Sequence, residues 1–112
     1  APPRPAAMVL QVLLYKLRPE VEADTVDALM RRARTQLLRI PQVLSVRAAK
    51  EIVPFSEWPF IVALEFDTRA KQVIAHDDPF WLKFMQETMR PHVLEHLSLD
   101  YELEPGRNIK YS

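Results

Sequence analysis

The sequence contains no cysteine, its charges of opposite sign cancel, and it has no long apolar run. Without cysteine, disulfides, thiolate nucleophiles and cysteine-based zinc or iron–sulfur sites are excluded, while the redox compartment is left open. Fifteen Lys and Arg against fifteen Asp and Glu give a formal net charge of zero. No global field therefore draws polyanions, and nucleic acid is not expected as a partner. Arg31, Arg32, Arg34 and Arg39 do cluster, but inside one helical pattern whose other positions form an apolar stripe, so they are read as a solvated face. No stretch approaches the roughly 18 apolar residues of a membrane span, so no membrane partner is expected. The opening APPRPAA, MVLQVLL and YKLRPE offers neither an h-region of normal length nor a small-residue cleavage site. No signal peptide is read there, a cytoplasmic setting is expected, and Met8 is placed close to the beginning of the fold.

What is present suits one ordinary folded domain: 112 residues, 48% hydrophobic and 27% charged. The domain is expected over 8–104, between an N-terminal tail at 1–7 and a C-terminal tail at 105–112 that begins at Pro105-Gly106.

MVLQVLLYKL at 8–17 is apolar at nearly every position, the pattern of a strand covered on both faces. After Arg18-Pro19, Val26, Leu29, Met30, Ala33, Leu37 and Leu38 recur at steps of three and four and predict a helix. That helix must stop near Ile40, because Pro41 lacks an amide donor and forces the preceding residue out of helical geometry. VLSVRAA at 43–49 and FIVALEF at 60–66 read as two further strands, separated by the proline-rich IVPFSEWP. A short helix is expected from Thr68 to Ala75. Asp78-Pro79 then supplies an N-cap and an N1 proline for a longer helix from about Pro79 to His96, disturbed at Pro91. LSLDYEL at 97–103 alternates Leu97, Leu99, Tyr101 and Leu103 against Ser98, Asp100 and Glu102, and closes the domain as a fourth strand.

The order βαββαβ is the split-βαβ, ferredoxin-like arrangement of the α+β class, a four-stranded antiparallel sheet with its helices on one face. Because the first strand is apolar on both sides, the second sheet face cannot be wholly solvated. A second copy of the chain is expected to cover it, giving a homodimer.

In order and spacing, VLLYKLRPEV, LLRIPQVLSV, FIVALEF, the helix-ending His76 before another helix, and LSLDYEL match a known pattern from Met8 to about Glu104. The chain resembles the stress-responsive dimeric α/β-barrel, or Dabb, family. That resemblance implies a dimeric α+β barrel with a cavity between each sheet and its own helices. One plant branch of the family closes aromatic rings by aldol condensation, using a histidine base with a nearby tyrosine. Where that branch has a histidine on the first strand, this chain has Gln11. The tyrosine position holds Val73, and the second helix-end histidine position holds Pro79. Only His76 remains, so cyclase activity by that mechanism is not expected.

Three histidine settings are candidates for chemistry. His92 and His96 lie in HVLEH, which matches a zinc-protease expression. A third protein ligand has no helix to come from, so the match is read as coincidence and no metal is expected. Trp81, Thr88 and His92 align on one helical face, with Gln11 able to point at them. This is similar to haem-degrading dimeric α+β barrels, but those place Asn on the first strand and space Trp and His differently. These residues are read as packed core aromatics, and no cofactor is expected. His76 precedes Asp77 and Asp78, where a cap role competes with a catalytic one. Arg47, Glu65, Asp100 and Glu102 could form a polar layer across a dimer or face water.

Two functional readings follow. In the first, the protein is a stress-associated homodimer that binds a small hydrophobic or aromatic molecule in a pocket lined by Gln11, Leu13, Tyr15, Met30, His76, Trp81, Phe84 and His92. In the second, it is a cofactor-free lyase, isomerase or monooxygenase acting on an aromatic or polyketide-like substrate, with His76 or His92 as the acid or base.

Overall fold

The computed structural model describes residues 7–104. Strand β1 (Val9–Leu17) is followed by helix α1 (Ala23–Leu37), strands β2 (Val43–Lys50) and β3 (Phe60–Phe66), and helices α2 (Arg69–Ala75) and α3 (Pro79–Lys83). A wide π-type turn (Phe84–Met89) and a 3-10 turn (Arg90–His92) then deliver the chain to strand β4 (Val93–Glu102). The four strands form one antiparallel sheet in the order β2-β3-β1-β4. This is the ferredoxin-like arrangement. Apart from Ala7, the tails expected at 1–7 and 105–112 lie outside the described residues.

Period-two alternation sorts the sheet into two faces. Val9, Gln11, Leu13 and Tyr15 of β1 and Phe60, Val62, Leu64 and Phe66 of β3 are buried toward the helices. α1 contributes Leu29, Ala33 and Leu37 to the same core, and Ile40 seals its end. Leu38, expected in the stripe, is exposed, because the regular helix ends one residue earlier ahead of Pro41. On the other face, Leu10, Val12 and Leu14 lie beside Ile61 and Ala63 of β3 and Leu97, Leu99 and Tyr101 of β4. The centre of this second face is apolar, with Glu65 and Arg47 toward the β2 side, and none of its residues is fully buried.

The one large departure from expectation is the segment after α3. Asp78 does cap it, its Oδ1 accepting from the Phe80 N–H at 2.8 Å, with Pro79 in the first turn. The regular helix nevertheless ends at Lys83, and β4 begins at Val93 rather than at Leu97. Pro91 is the reason. It offers no N–H to the turn before it, and its ring excludes the carbonyl that an α-helix would place there, so the backbone widens first and then tightens. His92 consequently sits in the 3-10 turn, where its carbonyl accepts the Arg18 N–H at 2.8 Å, and His96 sits on a strand. The shared helix face expected for His92 and His96, and the one expected for Trp81, Thr88 and His92, do not form.

Candidate functional site

The site is built where α2 crosses the helix side of β1 and β4. Thr68 starts α2 by accepting the Lys71 N–H at 3.1 Å. Arg69, Gln72 and His76 then recur at steps of three and four, which aligns them on one helical face. That face meets Gln11 of β1, whose antiparallel neighbour on β4 is Asp100. Arg69 Nη1 donates to Gln72 Oε1 at 2.6 Å and to Asp100 Oδ2 at 2.9 Å. Gln72 Nε2 donates to Asp100 Oδ1 at 2.8 Å and to Gln11 Oε1 at 3.1 Å. Gln11 Nε2 donates to Ser98 Oγ at 2.8 Å, and His76 Nε2 lies 2.9 Å from Gln11 Oε1. Gln11 and Gln72 are 2% and 0% exposed, so this is a polar relay that reaches into a largely apolar core.

Aromatic rings hold the histidine in place. The imidazole of His76 stacks on Trp81, centroids 4.4 Å apart, and meets the edge of Phe66 at 6.4 Å. Burial pulls the His76 pKa below its ordinary value. Asp100 works against that, Arg69 adds to it, and Asp77 opposes it more weakly. The ring is therefore neutral at pH 7. Burial also pushes the Asp100 carboxyl upward, but its bonds from Arg69 and Gln72 outweigh this, and it ends below the usual carboxylate range.

Two grooves open on this side of the sheet, the first against Arg69 and Asp100 of the relay and the second further along β1 and β4, and neither is lined by His76 or Trp81. One of ≈ 330 Å³ opens among Val9, Arg69, Asp100 and Glu102. The other, of ≈ 250 Å³, lies among Tyr15, Met85, Met89, Val93 and His96. Both follow from the narrowness of the helical layer, which leaves the helix-facing residues His96, Ser98, Asp100 and Glu102 of β4 exposed. Tyr15 anchors the second groove by donating its hydroxyl to Met85 Sδ at 3.4 Å, and burial pushes that hydroxyl's pKa up, so it stays protonated.

Of the residues singled out in the sequence, the structure brings Gln11, His76 and Trp81 together. Leu13 and Phe84 are buried in the core beside them, and Tyr15 lies at the second groove. Met30 lies elsewhere, in a groove between α1 and β2. His92 lies in the 3-10 turn at the far end of the sheet, four residues before His96 on β4, and along a strand four residues span about 13 Å. Among the described residues no group of three or more His, Asp or Glu could hold a metal ion. Val73, at the cyclase tyrosine position, points outward and is 55% exposed. Asp100 and Glu102 face the helix side, whereas Arg47 and Glu65 lie on the opposite face, so these four do not form one layer.

Sequence reasoning passed over Arg69, Gln72 and Ser98. A signal for two of them was available: Arg69, Gln72 and His76 form a polar stripe on a helix too short to need one for solubility.

No protein-family model and no curated protein matches the sequence. Solved structures do match the fold. A Dabb family protein from Mesorhizobium loti superposes with a TM-score of 0.74 at 21% identity, covering 89% of this chain and 99% of that one. A dimeric ferredoxin-like protein of unknown function from Thermobifida fusca gives 0.77 at 13% identity, over 88% and 92% of the two chains. The hydroxynitrile lyase of Passiflora edulis gives 0.76 at 13% identity, over 92% and 99%. The chain thus has the ferredoxin-like α+β fold shared by a Dabb family protein, a dimeric protein of unknown function and a plant lyase.

Proposed function

We propose that this chain works as a homodimer binding a small, ring-containing molecule on the helix side of its sheet, with His76 and Trp81 at the contact. The observation that carries this reading is the relay itself. Burying Gln11 and Gln72 costs stability that an apolar pair would not, and a fully satisfied polar network ending on a half-buried, ring-stacked histidine repays that cost as recognition. The two grooves, near or below the roughly 300 Å³ at which drug-sized pockets begin, suit a ligand of one or two rings. Leu13, Tyr15 and Phe84 back the site from the core. Met30 and His92 belong to the sequence expectation and stand apart from this cluster. The homodimer rests on the apolar second sheet face and on the dimeric solved structure of the same fold. A stress-associated role remains part of the proposal through the Dabb resemblance, and a cytoplasmic setting through the expectation from the sequence. Among the described residues no helix is long and apolar enough to cross a membrane.

A second reading is favoured by the state of His76. A neutral imidazole with one nitrogen tied inward can accept a proton at the other, as a cofactor-free lyase or isomerase requires. The same fold in a hydroxynitrile lyase supports this, although Gln11, Val73 and Pro79 stand where the plant cyclases carry their chemistry.

Titration of isotope-labelled protein with single-ring phenols tests the site. Resonance shifts centred on His76 and the Trp81 indole are expected, with affinity at least about tenfold weaker in His76→Ala, or about 1.4 kcal/mol. Shifts that bypass both residues, or equal affinity in the variant, would remove the site.

A further inference from the structure

The contacts around His76 allow one assignment of the ring proton. A guanidinium can only donate, so the Gln72 atom 2.6 Å from Arg69 Nη1 is the carbonyl oxygen. A carboxylate can only accept, so the Gln72 atom 2.8 Å from Asp100 Oδ1 is the amide nitrogen. The two ends agree independently on how Gln72 is turned. Its N–H also reaches Gln11 at 3.1 Å, which must therefore present its oxygen there and send its own nitrogen to Ser98. The same Gln11 oxygen lies 2.9 Å from His76 Nε2. That oxygen carries no hydrogen, so the nitrogen facing it must.

The free end of the ring is equally defined. Nδ1 of His76 takes part in no side-chain hydrogen bond among the described residues, and no buried side-chain nitrogen or oxygen among them is left without a partner. Nδ1 is therefore not sealed from solvent. Stacking on Trp81 fixes the plane of the ring while the relay fixes its protonation.

We infer that Arg69, Asp100, Gln72 and Gln11 act as a tautomer lock, which keeps the proton of the uncharged His76 ring on Nε2 and presents Nδ1 as a pure acceptor to the ligand. Gln72 is the positioning residue, because it alone converts the fixed polarity of Arg69 and Asp100 into the orientation of Gln11. The lock also defines the ligand class. A molecule offering a hydroxyl or other hydrogen-bond donor is accepted at Nδ1, and one offering a bare carboxylate or carbonyl oxygen is not. If the site is catalytic, Nδ1 takes the proton and the imidazolium is stabilised through Gln11. The use of Nδ1 by a ligand rests on the reading given under Proposed function, whereas the tautomer itself does not.

Long-range proton–nitrogen correlation spectra of histidine-labelled protein, recorded above the ordinary histidine pKa, test it directly. In the wild type the protonated nitrogen is expected to be Nε2. Gln72→Glu made together with Asp100→Asn replaces the NH₂ that faces Gln11 by oxygen at unchanged net charge, with the new amide donating where two carboxylates would otherwise meet at 2.8 Å. Gln11 must then turn its nitrogen toward both the carboxylate and His76, and the ring proton is expected to move to Nδ1. A wild-type ring protonated on Nδ1 overturns the lock without any variant being made. A folded Gln72→Glu/Asp100→Asn protein, certified by its amide fingerprint, that keeps the proton on Nε2 overturns it as well. A locked Nε2–H tautomer in a protein that binds no phenol would retire the binding reading and leave the lock standing.

Discussion

His76 is the residue whose environment does most to separate its behaviour from that of the free side chain. Its pKa in the folded protein lies below the ordinary 6.5, chiefly through burial. Above about pH 6.5 neither the folded nor the unfolded chain protonates it, and the group adds no pH dependence. As pH falls below that value, the unfolded chain takes up a proton that the folded state refuses, so stability declines until the folded pKa is reached. Asp100 is shifted in the same direction but acts in the acidic range: it favours the fold above the ordinary carboxylate value, and that contribution is lost as pH falls through its lowered folded pKa. Urea denaturation followed from about pH 8 to about pH 5 should therefore show a shoulder beginning near 6.5, and His76→Gln should flatten it. An unchanged shoulder in the variant would assign the decline to another group.

At the level of elements, short helices matter more here than long ones, because they carry Gln72, His76 and Trp81. α3 depends on one cap, the Asp78 carboxylate on the Phe80 N–H. Asp78→Ala should cost about 1 kcal/mol, with Asp78→Ser restoring most of it, as read by chemical denaturation at neutral pH. The caps, the stripe of α1 and the alternation of β1 and β3 were legible because each is a local rule written in a few adjacent residues. The start of β4 was not. HVLEHL carries apolar residues compatible with either period, and only pairing with Leu14, Tyr15 and Lys16 of β1 makes it a strand. The candidate site was half legible for the same reason. His76 and Gln11 were visible as unusual residues in their elements, but the choice of Asp100 as their distant support depends on which strand lies beside β1.

At the scale of the whole molecule, β4 divides its residues cleanly. Leu97, Leu99 and Tyr101 face away from the helices, and His96, Ser98 and Asp100 face toward them. Leu99, opposite Val12, lies in the apolar face proposed to meet a partner copy. Leu99→Lys places a charge there, and native mass spectrometry should then report the mass of one chain where the wild type gives two. A dimer that survives this change would move the interface elsewhere.

The near-complete exposure of β4 carries its own consequence. Its residues range from half-buried to exposed on both faces, so the monomer secures this edge mainly by its ladder with β1. Whatever settles on one face of such a strand orders it for whatever settles on the other. On the proposed reading of a ligand-binding homodimer, assembly and occupancy are thermodynamically linked: a ligand on the helix side would tighten the pairing of subunits, and dilution would weaken the ligand's hold without altering any atom that touches it.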